Sequence, residues 1–367
     1  MRIAILGAGN GGKAAAADLT LAGHTVSLFE FPRFDENLRD IRDTGGLALV
    51  GAGRQGFAKL DRVTTSIEEA LEGAEMILPV LTAFGHGEAA RACAPHLVDG
   101  QTVVLTPGSS LGSLHFYRIL EKEGVKADVG IGEVHTLPYA ARRADGEIRI
   151  LLGVKKLWLA AFPARNTPDV LEKFRSLYPV AEPQKNILEV ALNNGNPVTH
   201  PVPSLLNAGR VEYSGGEFYL YAEGITPHVV NVIEAVDEER LALCRRLGYP
   251  EISTLDRLYL TGYSITKASL YQAYRTSPAF CGDFPPKGPD SVMHRYYTEE
   301  VSYGLVTWSS LGRMIGVATP TIDALILLIS KLHKRDYWTG AKRTMEALGI
   351  SGMTIEELNA YLETGSN

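Results

Sequence analysis

The sequence predicts an α/β domain built on a doubly wound, mostly parallel sheet, followed by an all-α domain. Three observations carry this. Short apolar runs alternate with helical stretches through the first half of the chain, as in a parallel sheet. A glycine-rich turn, Gly7-Ala8-Gly9-Asn10-Gly11-Gly12, joins the first strand to the first helix. Beyond about residue 184 the apolar spacing becomes helical. At 367 residues the chain exceeds what one hydrophobic core usually holds, which fits a division into 1–183 and 184–367.

Element by element, Arg2 to Leu6 reads as a buried strand. Lys13 to Ala22, rich in alanine, reads as a helix stopped by Gly23. Further strands are expected at His24–Phe29, Glu75–Leu81, Thr102–Leu105 and Asp128–Ile131. Two more are expected within 147–162, and a helix over Thr167–Leu177 closes the domain before Pro179 and Pro183. In the second half Val229, Val230, Ile233, Val236, Leu241 and Leu247 recur at helical spacing and end at Gly248. The Pro/Gly-rich piece from Cys281 to Pro289 is expected to be a long surface or active-site loop.

Composition narrows the partners. With 45% hydrophobic and 21% charged residues the chain can build real cores, so disorder is excluded. A net charge of −6 and the lack of a Lys/Arg block argue against nucleic acid and anionic membrane surfaces, leaving small molecules as the expected ligands. Cys93, Cys244 and Cys281 are scattered, without metal-ligand spacing, and read as reduced thiols of a cytoplasmic protein; no metal site is expected. The apolar start MRIAILGAG lacks the length and cleavage site of a leader, and Ala324–Ile329 is too short to span a bilayer.

Gly7, Gly9 and Gly12 satisfy GxGxxG, a pattern that 37 glycines would produce about 0.4 times by chance, so context must decide. Here the motif follows a strand, opens a helix, and is answered by Glu30 at the end of the next strand, as in a dinucleotide-binding Rossmann unit. Gly7 permits the tight turn, Gly9 lets a pyrophosphate approach, and Gly12 lets helix and strand pack closely. Asn10 and Gly11 open the helix whose N–H groups face the anion. Glu30 is expected to accept hydrogen bonds from the adenosine ribose and to repel a 2′-phosphate, favouring NAD over NADP, though Arg33 keeps NADP open.

In the second half the polar, proline-rich segment Asn193-Asn-Gly-Asn-Pro-Val-Thr-His200 is unlike a helical core, and His200 suits general acid–base work. Four stretches together resemble the opine dehydrogenase family of octopine/nopaline type: GxGNGG at 7–12, NxNxVxHPxPxLLNAxR at 194–210, Tyr221-Ala-Glu-Gly-Ile-Thr-Pro227, and Arg295-Tyr-Tyr-Thr-Glu-Glu-Val-Ser-Tyr-Gly-Leu-Val306. The resemblance runs from residue 2 to about 353. It implies a Rossmann domain and an all-α domain of the 6-phosphogluconate dehydrogenase C-terminal-like type, working in the cleft between them. It also implies NAD(H)-dependent coupling of an α-keto acid, pyruvate above all, to the amino group of an L-amino acid, and the reverse oxidation. On that resemblance His200 is the acid/base, Glu300 its carboxylate partner and Arg295 the clamp for a substrate carboxylate.

The family pattern has Asp where this chain has Glu300, and Glu299 is an equal candidate on spacing alone, since Arg295 and Glu300 lie about 140° apart on a helix. Asn196 and Asn207 are expected to bind substrate, and Asn194 could join them, although Asn in turn-rich segments also caps its own backbone. Pro107-Gly108-Ser109 and Glu133-Val134-His135, at predicted strand ends, are expected to line the nicotinamide end. Two other readings remain open: a ketopantoate-reductase-like keto-acid reductase using Lys267 as proton donor, and a non-catalytic NAD-binding sensor. A homodimer is expected from the apolar helical faces.

Overall fold

The computed structural model of the chain describes residues 1–144 and 146–366. The chain divides into two compact units, Met1–Val190 with Leu362–Gly365, and Ala191–Tyr361.

Among the described residues the first unit contains β1 (Arg2–Leu6), β2 (Thr25–Phe29), β3 (Leu47–Gly51), β4 (Gly56–Ala58), β5 (Arg62–Thr64), β6 (Met76–Pro79), β7 (Thr102–Leu105), β8 (Gly130–Val134), β9 (Tyr139–Ala144), β10 (Glu147–Gly153), β11 (Leu157–Ala161) and β12 (Ala181–Pro183). Eight of them form the main sheet in the order β12-β11-β8-β7-β6-β1-β2-β5, parallel throughout except where β11 runs against β8. These strands are apolar on both faces, as a sheet covered by helices requires; β1, β6 and β7 are almost wholly buried. One face packs Leu6, Ile77, Val103 and Leu105 against Ala89, Ala90, Phe116 and Leu120 of two covering helices.

The sequence did not reveal the second sheet, β4-β3-β10-β9. Its strands are short, half-exposed and interrupted by glycines, so their periodicity is faint. The stretch 147–162 therefore divides between sheets, β10 joining the small one and β11 the main one. Pro183, expected only to break the pattern, ends the edge strand β12, where a missing N–H costs nothing. The chain runs from β1 to β2 on one side and returns to β6 on the other, so a crevice opens beyond the C-terminal ends of β1 and β6.

The second unit is helical among its described residues. Its longest helix, Pro227–Leu247, starts with the Thr226 hydroxyl accepting from the Val229 N–H and ends at Gly248 in the left-handed conformation. It packs with Pro320–Leu332 and Val306–Ile315 around Ile233, Val236, Trp308, Ile322 and Ile329. The helices Arg295–Glu300 and Val306–Ile315 are joined by the π-helical segment Val301–Leu305, where one turn is widened. The expected loop after Cys281 is irregular to residue 290, tied down by the Gly288 N–H donating to the Phe218 carbonyl at 2.7 Å.

Candidate active site

The glycine turn builds a cradle at the β1/β6 crevice. Gly7 has φ +108°, and a Cβ there would lie 2.6 Å from the Val80 carbonyl oxygen. A Cβ on Gly12 would lie 1.8 Å from the Gly7 carbonyl oxygen, so only glycine lets the helix Asn10–Leu21 start this close to β1. Gly9, the residue before that helix, is different: a Cβ there would meet nothing within 4 Å, and no side chain caps the helix. Uncapped N–H groups facing open space fit a pyrophosphate.

Glu30 follows β2, as expected, but is only 4% exposed. Its carboxylate accepts from the Ala8 N–H at 3.0 Å, the Phe31 N–H at 2.9 Å and the Asn37 amide at 3.2 Å. Beyond the ribose role read from the sequence, it therefore braces the glycine turn. Arg33 is held by both carboxylate oxygens of Glu88 and lies over the rings of Phe31 and Phe34 at 5.0 and 4.7 Å. Two of its N–H groups are therefore engaged by Glu88.

In the helical unit His200 stands between two short helices, Asn196–Thr199 and Pro201–Leu206, each with proline in its first turn. Pro201 has no N–H to continue the first helix and suits the start of the second. Gly304 lies against Pro197, where a Cβ would come within 2.3 Å of the proline Cγ, so this glycine draws the 295–315 rod onto the His200 segment. Tyr297 fastens the same contact by donating to the Ser204 carbonyl at 2.5 Å.

The result brings His200 Nδ1 within 2.9 Å of Glu300 Oε1, with both side chains buried. Glu299 turns the other way, to Arg295, at 3.3 Å. Burial pushes the Glu300 carboxyl up to about 8, against the pull of Arg295. Tyr296 stacks on the His200 ring at 4.0 Å between centroids and 17° between planes, and Tyr221 meets it edge-on at 6.4 Å. His294 opens the helix by accepting from the Tyr296 N–H at 3.2 Å; burial, then Arg295, lowers it to about 4, so it is neutral near pH 7. The Arg295 side chain remains about half exposed. A buried His–carboxylate pair beside an accessible guanidinium can hold a carboxylate and move a proton next to it.

Tyr221 and Tyr296 lie in the motifs quoted from the sequence but were given no role there, and His294 was not singled out, because an aromatic next to a helix start reads as ordinary core. Several candidates prove to be internal supports. Asn207 donates to the Pro203 and Gly224 carbonyls at 2.8 and 3.0 Å, and Asn194 accepts from the Asn196 N–H at 3.1 Å, so these side chains brace backbone. Glu133 is fully buried, accepting from the N–H groups of Leu111 and Ser113 and from the Ser113 hydroxyl; it does not line an open site. His135 is likewise buried, its Nδ1 accepting from the Trp158 N–H. The neighbouring Ser109, Ser110 and Leu111 all have positive φ, a strained turn held by that Glu133 carboxylate. Lys267 is exposed and paired with Asp256, unlike a buried proton donor. Among the described residues no His/Cys/Asp/Glu cluster fits a metal ion, and no helix is long and apolar enough to cross a membrane.

A pyrophosphate cradle with an acidic residue after β2, joined in one chain to a buried proton-handling pair, is the equipment of a nicotinamide-dependent oxidoreductase. Comparison with known proteins gives its kind. Residues 183–333 match the family model described as NAD/NADP octopine/nopaline dehydrogenase, alpha-helical domain. The opine dehydrogenase of Arthrobacter sp. (strain 1C) is 36% identical over 361 residues, covering 98% of each chain. A solved octopine dehydrogenase in complex with NADH and agmatine superposes with a TM-score of 0.79 at 20% identity, covering 100% of this chain and 98% of the other. An NADP+-bound yersinopine dehydrogenase gives 0.71 at 18% identity, covering 99% and 97%. The chain belongs to the opine dehydrogenase family, and is an oxidoreductase acting on CH–NH bonds.

Proposed function

We infer that the protein couples the amino group of an L-amino acid to an α-keto acid, most directly pyruvate, and reduces the resulting imine with NADH; the reverse reaction oxidises the secondary amine. The observation that carries the residue assignments is the buried His200–Glu300 pair beside Arg295. NADH supplies the hydride, and the glycine turn and Glu30 are the residues that would hold it. Arg33, engaged by Glu88, supports NAD over NADP.

His200 acts through the ring nitrogen that Glu300 does not hold. Unprotonated, it takes a proton from the substrate ammonium, freeing the amine to add to the keto carbon. Protonated, it returns that proton to the carbinolamine hydroxyl, which leaves as water and forms the imine. Glu300 stabilises the imidazolium and sets the ring's tautomer. Arg295, freed from Glu299, presents a planar fork that a substrate carboxylate satisfies with two hydrogen bonds. Two further proposals are a cytoplasmic location and a homodimer; Leu327 and Leu328 are each more than half exposed on the helix Pro320–Leu332.

A matrix of keto acids against amino acids, followed by NADH absorbance, tests the reading. Consumption is expected only when both partners are present. Equal consumption with the keto acid alone makes the protein a simple keto-acid reductase instead.

A further inference from the structure

Arg257, on the helix Thr254–Thr261, is 7% exposed, and its Nη2 is sealed from solvent without a hydrogen-bond partner among the described residues. The nearby carboxylate is Asp237, which is committed to Arg240 and Thr254. It accepts from Arg240 at 2.8 and 2.7 Å, and from the Thr254 N–H and hydroxyl at 2.7 and 2.8 Å. Arg240 completes its own set on the Leu192 and Ile252 carbonyls. Two guanidinium groups thus share one carboxylate, and the second positive charge is uncompensated. An arginine cannot escape by losing its proton, and a buried unpaired charge is costly, so an anion is called for.

Gly195 makes the space. Its φ of −84° and ψ of −12° suit any residue, so backbone freedom does not explain the glycine. A Cβ there would lie 2.0–2.1 Å from Arg257 Cζ, Nη1 and Nη2, so the guanidinium lies flat against the Asn193–Asn196 turn. The surroundings lead to the proton-handling pair by two routes. Tyr274, beside Arg257, hydrogen-bonds Thr199, the residue before His200, at 2.9 Å. Tyr263, also beside Arg257, packs on Phe280, which stacks on Tyr221 next to His200.

We propose that Arg257 is a second anion-binding residue of the helical unit, and that its ligand is the carboxylate of one of the two substrates. This rests on the coupling reaction inferred above, in which both substrates carry a carboxylate while Arg295 accounts for one.

Arg257→Met, Arg257→Lys and Gly195→Ala test it, with NADH, pyruvate and the amino acid varied in turn. In Arg257→Met the KM for one carboxylate substrate rises about tenfold to a hundredfold, as loss of a charged hydrogen bond requires, while the KM for NADH stays within about twofold. Gly195→Ala reproduces the change, and adding it to Arg257→Met brings little further loss. The substrate whose KM moves identifies the carboxylate. If Arg257→Met does not fold, Arg257→Lys and Gly195→Ala carry the comparison. In parallel, pyruvate and the amino acid are titrated separately, without NADH, while Tm is followed. A saturable rise lost in Arg257→Met supports the site even if the wild type forms no coupled product, in which case the reaction assignment fails alone. A wild type that forms the product while its variants keep both KM values overturns the site. So does an equal fall in kcat/KM for all three reactants together with a lowered Tm, since that marks a structural role.

Discussion

His200 Nδ1 and Glu300 Oε1 meet at 2.9 Å across a hundred residues of sequence, and the carboxyl in that pair is held near 8 by burial. The pair therefore exchanges one proton close to working pH. When the proton is present it lies between Glu300 and Nδ1 while the other ring nitrogen also carries hydrogen; as that hydrogen passes to a leaving hydroxyl, the shared proton settles on Nδ1. When the proton is absent, the other ring nitrogen is a base. Reductive coupling should accordingly be favoured below about pH 8 and oxidation above it. Glu300→Gln should remove this separation, and profiles that still differ in the variant would place the titration elsewhere. His200→Gln should lower kcat by roughly 10²- to 10⁴-fold with NADH binding retained, the range expected for a lost acid/base group.

The same carboxyl makes stability depend on pH. An ordinary glutamate titrates near 4.5, and Glu300 in the folded protein near 8. Below 4.5 it is protonated whether folded or unfolded and carries no penalty. Between the two values only the folded state keeps the proton, so its contribution falls as pH rises, and above 8 the full cost of a buried carboxylate is present. Glu300→Gln should match the wild type in Tm near pH 4.5 and exceed it increasingly up to pH 8. A constant difference across that range would contradict the raised value.

Gly9 and Gly12 should separate binding from folding. Gly12→Ala drives a Cβ into the Gly7 carbonyl and should lower Tm by roughly 5–15 °C. Gly9→Ala meets nothing within the protein, so Tm should hold within about 2 °C while the KM for NADH rises roughly tenfold. Thermal melts with cofactor titrations check both.

Arg33 is restrained by Glu88, and cofactor choice should follow that restraint. Glu88→Gln should raise the ratio of kcat/KM for NADPH over NADH about fivefold, a modest figure because both side chains are substantially exposed. An unchanged ratio would make the pair irrelevant to the choice.

Much of the first unit was legible because its signals are local. A strand, a glycine turn, an alanine-rich helix and Glu30 follow one another within thirty residues, and their periodicities name them. The small sheet was not, since β3 and β4 are short and half-exposed, and β3 joins β10, a strand a hundred residues away. In the helical unit the polar, proline-rich segment drew attention to His200, but its role and the choice of Arg295 and Glu300 came from family resemblance. Helical spacing alone left Glu299 and Glu300 level; what separates them is the tertiary placement of His200 against Glu300, a contact across a hundred residues that no local pattern announces. Asn207 and Glu133 show the opposite limit: polar residues in turn-rich or strand-end positions read as ligands, but the Asn207 amide N–H groups and the Glu133 carboxylate also brace their own surroundings.

The central claim is that the hydride goes to a carbon that has just gained a nitrogen. Turnover with pyruvate, an L-amino acid and NADH carrying deuterium at the transferred position, analysed by mass spectrometry, tests it most directly. One deuterium is expected in the new secondary amine, on the former keto carbon, and none in lactate. Deuterium found in lactate, formed at the same rate with or without the amino acid, would contradict it.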